Sequence, residues 1–139
     1  MIILDTNVVS EPAASRANER VLAWLDRQPP KSLCLTAITI AELFSGVAVL
    51  PEGRRKEALR RALEEIIAEI ATPVLPFDQQ AAMAYADVWV RAKALRYTMP
   101  IADGQIAAIA RVHGFAVATR DGAPFRVAGV DVINPWEDE

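Results

Sequence analysis

Short aliphatic runs alternate along this chain with longer segments in which apolar residues recur every three or four positions. The runs lie at 1–4, 32–35, 115–119 and 130–133, and their length and composition are typical of buried strands. The longer segments have the period of amphipathic helices. Strands that alternate with helices predict an α/β fold in which helices cover both faces of a mostly parallel central sheet.

Five segments are predicted to be helical, in chain order: a helix around 21–25 that ends before Pro29, then 36–50, 54–71, 79–96 and 103–113. Gly114 directly follows the last of these, as glycine commonly does at the end of a helix. The helix at 79–96 carries one apolar stripe, formed by Tyr85, Val88, Trp89, Ala92 and Leu95. The segment "PVLPF" at 73–77 fits either a short strand or an extended connector.

The length of 139 residues suits one domain, so 1–139 are expected to form a single unit. No apolar run approaches the length of about 20 residues that a membrane span needs, and no charged segment precedes the first apolar run as in a secretory signal. Cys34 is the only cysteine and lies between two leucines, which is typical of a buried thiol in a reducing compartment. We therefore expect a cytoplasmic protein, with a solvated acidic end at 136–139.

Four acidic residues are placed where a parallel sheet would bring them together. Asp5 directly follows the first strand, and Asp121 follows the strand at 115–119. Glu42 lies in the first turns of the helix after the second strand. Asp103 is at the start of the helix that leads into the strand at 115–119. Because ligands bind beyond the carboxyl ends of parallel strands, we expect these four carboxylates to converge at one edge of the sheet.

Each of these acids also has a purely structural explanation. These explanations are an Asx-turn at Asp5, a capping box from Thr39 to Glu42, a helix N-cap at Asp103 and an ordinary turn at Asp121–Gly122. Taken singly, such roles are the more common ones. The joint placement of all four acids favours a site.

The electrostatics of such a site predict its chemistry. Two carboxylates about 4 Å apart repel each other by about 4 kcal/mol at an effective dielectric constant of 20, so a cluster of four needs a cation or a shared proton. Carboxylate oxygens with no clustered histidine or cysteine suit Mg²⁺ or Mn²⁺. The sole histidine, His113, lies at a helix end. A metal-activated water that hydrolyses a phosphodiester is the chemistry that fits these residues best.

The charge of the whole chain bears on the substrate. A net charge of −3 and a pI of about 5.2 argue against a protein that coats nucleic acid through bulk positive charge, but not against an enzyme with one local site. Arg120 and Arg126 flank the loop at Asp121 and are therefore the arginines best placed to contact a phosphate of the substrate. Phosphate contacts position a strand without revealing a target sequence.

Four motifs in this order resemble the PIN-domain ribonucleases of the VapC type, and among them the FitB branch: "ILDTNVVSEP", "TAITIAEL", "PIADGQIAAIA" and "AVATRDGAPF". The resemblance spans nearly the whole chain. It implies a three-layer α/β/α fold and an endoribonuclease that depends on Mg²⁺ or Mn²⁺. It also implies the toxin half of a toxin–antitoxin pair.

The resemblance further implies roles for individual residues. Asp5, Glu42, Asp103 and Asp121 match the acidic quartet of the family, with Asp5 and Asp103 as the foremost metal ligands. Thr119 matches a hydroxyl that supports the first acid, and Thr6 is expected to do likewise. The implied partners are an RNA substrate, an antitoxin with a DNA-binding end and a tail that docks near the acids, and a second copy of the chain.

Two other functions fit parts of the same pattern. A phosphatase with Asp5 as its nucleophile would use the same strand end, but such enzymes typically have a second acid where this chain has Asn7. A regulatory or binding module, such as a PIN domain without activity, would use the same fold. The complete set of four acids argues against the second alternative, since loss of activity usually removes them.

Overall fold

The computed structural model describes residues 1–70 and 72–137. In this part of the chain, four short strands form one sheet: β1 (Ile2–Leu4), β2 (Leu33–Cys34), β3 (Ala116–Ala118) and β4 (Val132–Ile133). The strands are all parallel and lie in the order β2-β1-β3-β4. The predicted sheet of parallel strands is thus confirmed, and β1 lies near its centre.

Helices pack on both faces of this sheet. Within the described residues they are α1 (Thr6–Ser10), α2 (Glu19–Arg27), α3 (Ala37–Ala48), α4 (Arg54–Glu69), α5 (Gln79–Ala94), α6 (Ile101–His113) and α7 (Ala123–Val127). The five predicted helices are present with shifted ends. Ala71, the predicted last residue of the helix at 54–71, lies outside the described residues. None of these helices combines the length and apolarity that a membrane span requires.

The sheet divides the hydrophobic core into two layers, because successive side chains of a strand point to opposite faces. Ile3 and Val117 pack with α5 and α6 on one face. Leu4 and Ala118 pack on the other face in a cluster that we call the second core cluster. It draws on four helices: α1, α2, α3 and α4. The result is the three-layer α/β/α arrangement.

Two short helices were not predicted from the sequence. α1 begins directly after Asp5, and α7 begins directly after Gly122 with Pro124 in its first turn. Each has five residues, which is too short for a helical period to be recognised. Both nevertheless matter for the site, because they turn the chain away immediately after the strand ends that carry Asp5 and Asp121.

Three other expectations are settled by the fold. Leu75 forms a single bridge with Thr36, so 73–77 is an extended connector with one sheet-like contact. The predicted apolar stripe of α5 is narrower than expected, since Trp89 is 54% and Leu95 is 63% exposed. The predicted solvated end is wrong for Trp136, which packs on the second core cluster, while residues 138–139 lie outside the described residues.

Close packing of α5 on α6 yields a stability prediction. A Cβ atom on Gly104 would lie 2.9 Å from Cε2 of Tyr85 and 3.0 Å from Cγ of Met99. Gly104→Ala is therefore expected to lower the free energy of unfolding by about 1–3 kcal/mol, as overpacking does elsewhere. Urea denaturation measures this change in the free energy of unfolding. The matched control is Gly46→Ala in α3, where nothing lies within 4 Å. That change is expected to be neutral or stabilising by up to about 1 kcal/mol, and equal losses in both variants would refute the packing argument.

Candidate active site

The carboxyl ends of β1 and β3 are tied together at the residues that follow them. The backbone N–H of Asp5 donates to the carbonyl of Ala118 at 2.9 Å, which extends the pairing of the two strands by one residue. Thr119 then follows β3 at the same edge. Since the strands are parallel, the side chains that leave their ends emerge together, as the sequence pattern predicted.

Asp5 is held from two sides. Its side chain is only 5% exposed, and Thr119 is fully buried. One carboxylate oxygen accepts the N–H of Thr6 at 2.8 Å, so Asp5 is the N-cap of α1, a role different from the Asx-turn that is its structural alternative in the sequence. The other oxygen accepts the hydroxyl of Thr119 at 2.8 Å. That hydroxyl in turn accepts the N–H of Asp121 at 3.2 Å, which directs its proton towards Asp5.

Glu42 lies on an exposed face of α3 and is reached from α1. The hydroxyl of Thr6 donates to Oε1 of Glu42 at 2.7 Å. The hydroxyl of Thr6 therefore contacts Glu42 and not Asp5, contrary to the expectation that this hydroxyl supports the first acid, although the backbone N–H of Thr6 does bind Asp5. The alternative of a capping box from Thr39 to Glu42 is wrong, because α3 begins one turn earlier. Its N-cap is Thr36, which accepts the N–H of Thr39 at 3.1 Å.

Asp103 is partly buried in the first turn of α6. The helix begins at Ile101 with Pro100 in the N-cap position, so the alternative in which Asp103 is the N-cap is wrong. The position at the amino end of a helix favours a negative charge through the helix dipole. Even so, burial, followed by the charges of Asp5, Glu42 and Asp121, raises the pKa of Asp103 to about 6.

The pKa of Asp5 is also subject to opposing effects. Its pKa is raised above the ordinary value, mainly by burial and also by the negative charges of Glu42 and Asp121. The hydrogen bonds from Thr119 and Thr6 act in the opposite direction. In the described part of the chain, no lysine or arginine contributes to the shift of either carboxyl. The four acids are thus close enough to affect one another, and their charge is not balanced by a neighbouring cation.

The loop after β3 carries Asp121 and the two arginines predicted to contact phosphate. Asp121 is exposed. The guanidinium of Arg126 folds back over Gly122, where a Cβ atom would lie 2.8 Å from one of its nitrogens. The guanidinium carbon of Arg120 lies 5.3 Å from the ring centroid of Trp136. Both arginines therefore lie at the rim of the acidic cluster.

The chemistry of this donor set fits a hard divalent cation. The side chains that approach one another offer only carboxylate oxygens, and their mutual repulsion is what a cation would relieve. Among residues 1–70 and 72–137, however, no three acidic, histidine or cysteine side chains are arranged so that they could hold a metal ion as they stand. Oε1 of Glu42 accepts the hydroxyl of Thr6 in this arrangement. The four acids fit a divalent cation in their chemical type and in their closeness to one another.

Sequence reasoning missed one residue at the rim. Tyr97 lies in the connection between α5 and α6, where its backbone N–H donates to the carbonyl of Ala92 at 2.9 Å. Its pKa is raised by burial and, to a smaller extent, by the charges of Asp121 and Asp103. The only sequence signal was an aromatic residue six positions before Asp103. That signal becomes meaningful only once the helix boundaries are known.

Comparison with known proteins gives consistent matches over the chain. Residues 2–130 match the model of the PIN domain. The VapC ribonuclease Y4jK of Sinorhizobium fredii is 49% identical over 138 residues, which cover 99% of each chain. The toxin FitB of Neisseria gonorrhoeae is 48% identical over 139 residues, which cover 99% of this chain and 100% of FitB. The structure of FitAB bound to a DNA fragment superposes with a TM-score of 0.93 at 46% identity, covering 100% of this chain and 98% of that one.

Proposed function

The chain belongs to the PIN-domain family, in the group that includes VapC ribonuclease and the toxin FitB, and on that premise we propose that it is a metal-dependent endoribonuclease toxin. Its substrate is RNA, and its reaction is hydrolysis of a phosphodiester bond. Family membership supports a nuclease of a toxin–antitoxin pair. The acidic cluster supports the more specific claims about the metal and the residues.

One observation carries the chemical part of the proposal. Burial and three neighbouring acids raise the pKa of Asp103 to about 6, and no cationic side chain in the described residues offsets this. A protein that only needed these positions for folding would gain stability by replacing such a carboxylate. Retaining it is reasonable where the negative charge has to bind a cation.

The proposal assigns roles to all four acids. Asp5 and Asp103 hold Mg²⁺ or Mn²⁺, while Glu42 and Asp121 complete the cluster, partly through water. Such an ion, when bound, would lower the pKa of a coordinated water, and it would neutralise charge on the phosphate.

The protein's own hydrogen bonds prepare these acids. Thr119 and Thr6 fix both oxygens of Asp5, which limits its rotation. Thr6 holds Oε1 of Glu42 and leaves its second oxygen without a hydrogen bond from the described residues, so that atom can accept a proton from water. Thr6 therefore links the orientations of Asp5 and Glu42, one through its backbone and one through its side chain.

The toxin role implies protein partners. The FitAB complex was solved on DNA, which supports a neutralising partner with a DNA-binding end for this chain too. A basic side chain from that partner would inhibit the enzyme by occupying the carboxylate oxygens in place of a cation. We also propose a homodimer, to which the exposed apolar residues Trp89, Val90 and Leu95 of α5 and its end could contribute buried area. The protein would act in the cytoplasm.

The direct test is cleavage of labelled single-stranded RNA by the purified chain, freed of any bound partner, in the presence of Mn²⁺. Strand scission with new termini is expected, and strong expression in cells is expected to arrest growth. Lys31→Gln serves as a control for both assays, since Lys31 is exposed and precedes β2 at the opposite edge of the sheet. A non-catalytic module would neither cut RNA nor arrest growth, and a phosphatase would instead trap phosphate on Asp5.

A further inference from the structure

The chain returns to the acidic cluster after its last strand. β4 is followed by a turn in which the N–H of Trp136 donates to the side chain of Asn134 at 3.0 Å, and the N–H of Glu137 donates to the Asn134 carbonyl at 3.1 Å. The indole of Trp136 packs partly buried on the second core cluster. This aromatic ring is therefore fixed in place, although it belongs to the final residues of the chain.

Arg120 is fixed by contacts on both sides of its backbone. Its N–H donates to the side chain of Asn7 at 3.3 Å, and its carbonyl accepts the side-chain amide of Asn134 at 3.4 Å. Its direct neighbours are Thr119, which binds Asp5, and Asp121. The guanidinium itself is exposed and lies 5.3 Å from the ring centroid of Trp136. The backbone of Arg120 is thus held by two asparagines at a position next to Asp121, while its guanidinium lies over the ring of Trp136.

A second arginine lies at the same tryptophan. Arg20, from α2, donates to the carbonyl of Trp136 at 3.4 Å. In the described part of the chain, neither Arg20 nor Arg120 forms an ion pair with a carboxylate. This is unexpected beside a cluster of acids, where arginines commonly pair with carboxylates. Two guanidiniums with unsatisfied charge at one rim are suited to an anion from outside the protein.

We propose that Arg120, oriented by Trp136, forms a phosphate-binding subsite for the RNA strand beside the cleavage site, with Arg20 at its outer side. This inference rests on the proposed function. A strand that approaches four carboxylates is repelled, and the net charge of −3 provides no general attraction. A guanidinium held one residue from Asp121 supplies that attraction locally. Trp136 is a positioning residue, because it acts on the phosphate only through Arg120.

The alternative occupant is an acidic segment of a protein partner, since a carboxylate and a phosphate bind guanidinium in the same way. The observations favour RNA, because Arg120 lies in the loop that connects Thr119 with Asp121 and so adjoins the atoms proposed to act on the strand. A partner's acidic segment would gain nothing from that closeness, since the cluster beside it is itself acidic. The effect of Arg120→Gln on the binding of RNA and of polyglutamate distinguishes the two occupants.

The test compares the cleavage kinetics of Arg120→Gln, Arg120→Lys, Trp136→Leu and Trp136→Phe with those of the wild type. Arg120→Gln is expected to raise KM for a single-stranded RNA oligonucleotide about tenfold, the effect of losing one charged hydrogen bond, with kcat changed by less than about twofold. Trp136→Leu should raise KM about threefold through loss of the cation–π contact. The conservative variants, Arg120→Lys and Trp136→Phe, should restore most of the affinity. Lys31→Gln is the matched control for loss of one positive charge.

Two further readouts distinguish this subsite from a structural role. If Trp136 acts through Arg120, then Trp136→Leu adds nothing to KM in the Arg120→Gln background, as a double-mutant cycle would show. The slope of log KM against log salt concentration should also fall by about 0.7 in Arg120→Gln, the value for one lost phosphate contact with a single strand. Trp136→Leu also removes ring packing from the second core cluster, so the conclusion depends on Trp136→Phe, which keeps an aromatic ring there, and on Arg120→Gln, which leaves the core intact.

Failure of this inference can be told apart from failure of the proposed function. RNA that stays intact with the wild type refutes the ribonuclease; fluorescence anisotropy with the same labelled RNA then still measures whether Arg120 contributes to binding. If the wild type cuts RNA but Arg120→Gln behaves as Lys31→Gln does, the subsite is refuted. It is equally refuted if Arg120→Gln weakens binding of polyglutamate and leaves binding of RNA unchanged.

Discussion

Asp103→Asn is expected to reduce RNA cleavage at least about a hundredfold, to the background of the assay, since it removes one of the two carboxylates proposed as the foremost metal ligands. Asparagine has nearly the same shape as aspartate, so the first turn of α6 and its contact with α5 should be kept. Cleavage of labelled RNA with saturating Mn²⁺ measures the effect. Asp87→Asn on the exposed face of α5 is the matched control, since it removes the same charge away from the cluster.

The same substitution is expected to make the protein more stable. The pKa of Asp103 is raised to about 6, so at pH 7 the folded protein carries an ionised carboxylate that it disfavours. Removing that charge should raise the free energy of unfolding by about 1 kcal/mol once solvent screening of the partly exposed group is allowed for. Loss of activity together with a higher melting temperature separates a functional role from a structural one. An Asp103→Asn variant that cuts RNA at the wild-type rate would refute the assignment of the acidic cluster.

The positions of Asp5 and Asp121 could be predicted because they depend on one simple property. Asp5 directly follows β1, Asp121 comes shortly after the end of β3, and parallel strands bring their carboxyl ends to one edge. Short aliphatic runs and their spacing were sufficient to find those strands. The burial of each acid could not be predicted from the sequence. Asp5 is buried and Asp121 is exposed, although both occupy similar positions in the sequence pattern.

The hydrogen bonds that prepare the site could not be predicted from local pattern. Thr119 and Asp5 are separated by 114 positions, and Asn7 and Arg120 by 113. Such pairs follow from the register of β1 against β3, which no periodicity reveals. The capping error has a related cause: Thr36 and Thr39 are both suitable N-cap residues, and only the strand that ends before Thr36 decides between them.

The rim of the site was missed for a different reason. Trp136 was assigned to the solvated end because acidic residues follow it, yet its indole packs on the second core cluster. Tyr97 was overlooked because the helix that carries Asp103 begins at Ile101, two residues earlier than predicted. Both aromatic residues lie in connections or ends, where tertiary contacts and not periodic pattern determine the environment of a side chain.

Without divalent metal, the stability of the protein is expected to fall as the pH rises through the range from about 4 to about 6. The pKa of Asp103 is about 6 in the folded protein and near the ordinary value of 3.8 in the unfolded chain. Below that ordinary value the group is protonated in both states and costs nothing. Above it the unfolded chain releases the proton first, so the penalty grows until the folded protein also ionises. Melting curves in EDTA at several pH values measure this slope, which Asp103→Asn should reduce.

Divalent metal is expected to reverse that penalty, and its removal to reduce RNA cleavage to background. An ion that binds the folded state alone stabilises it by about 2.7 kcal/mol at a hundred times its Kd, so Mn²⁺ should raise the melting temperature at pH 7.5. At pH 4.5 the effect should be small, because protons compete for the same oxygens. Asp103→Asn should lose most of the shift, while Asp87→Asn should retain it. Cleavage that continues in excess EDTA, or an equal Mn²⁺ shift in both variants, would show that these carboxylates do not hold the metal.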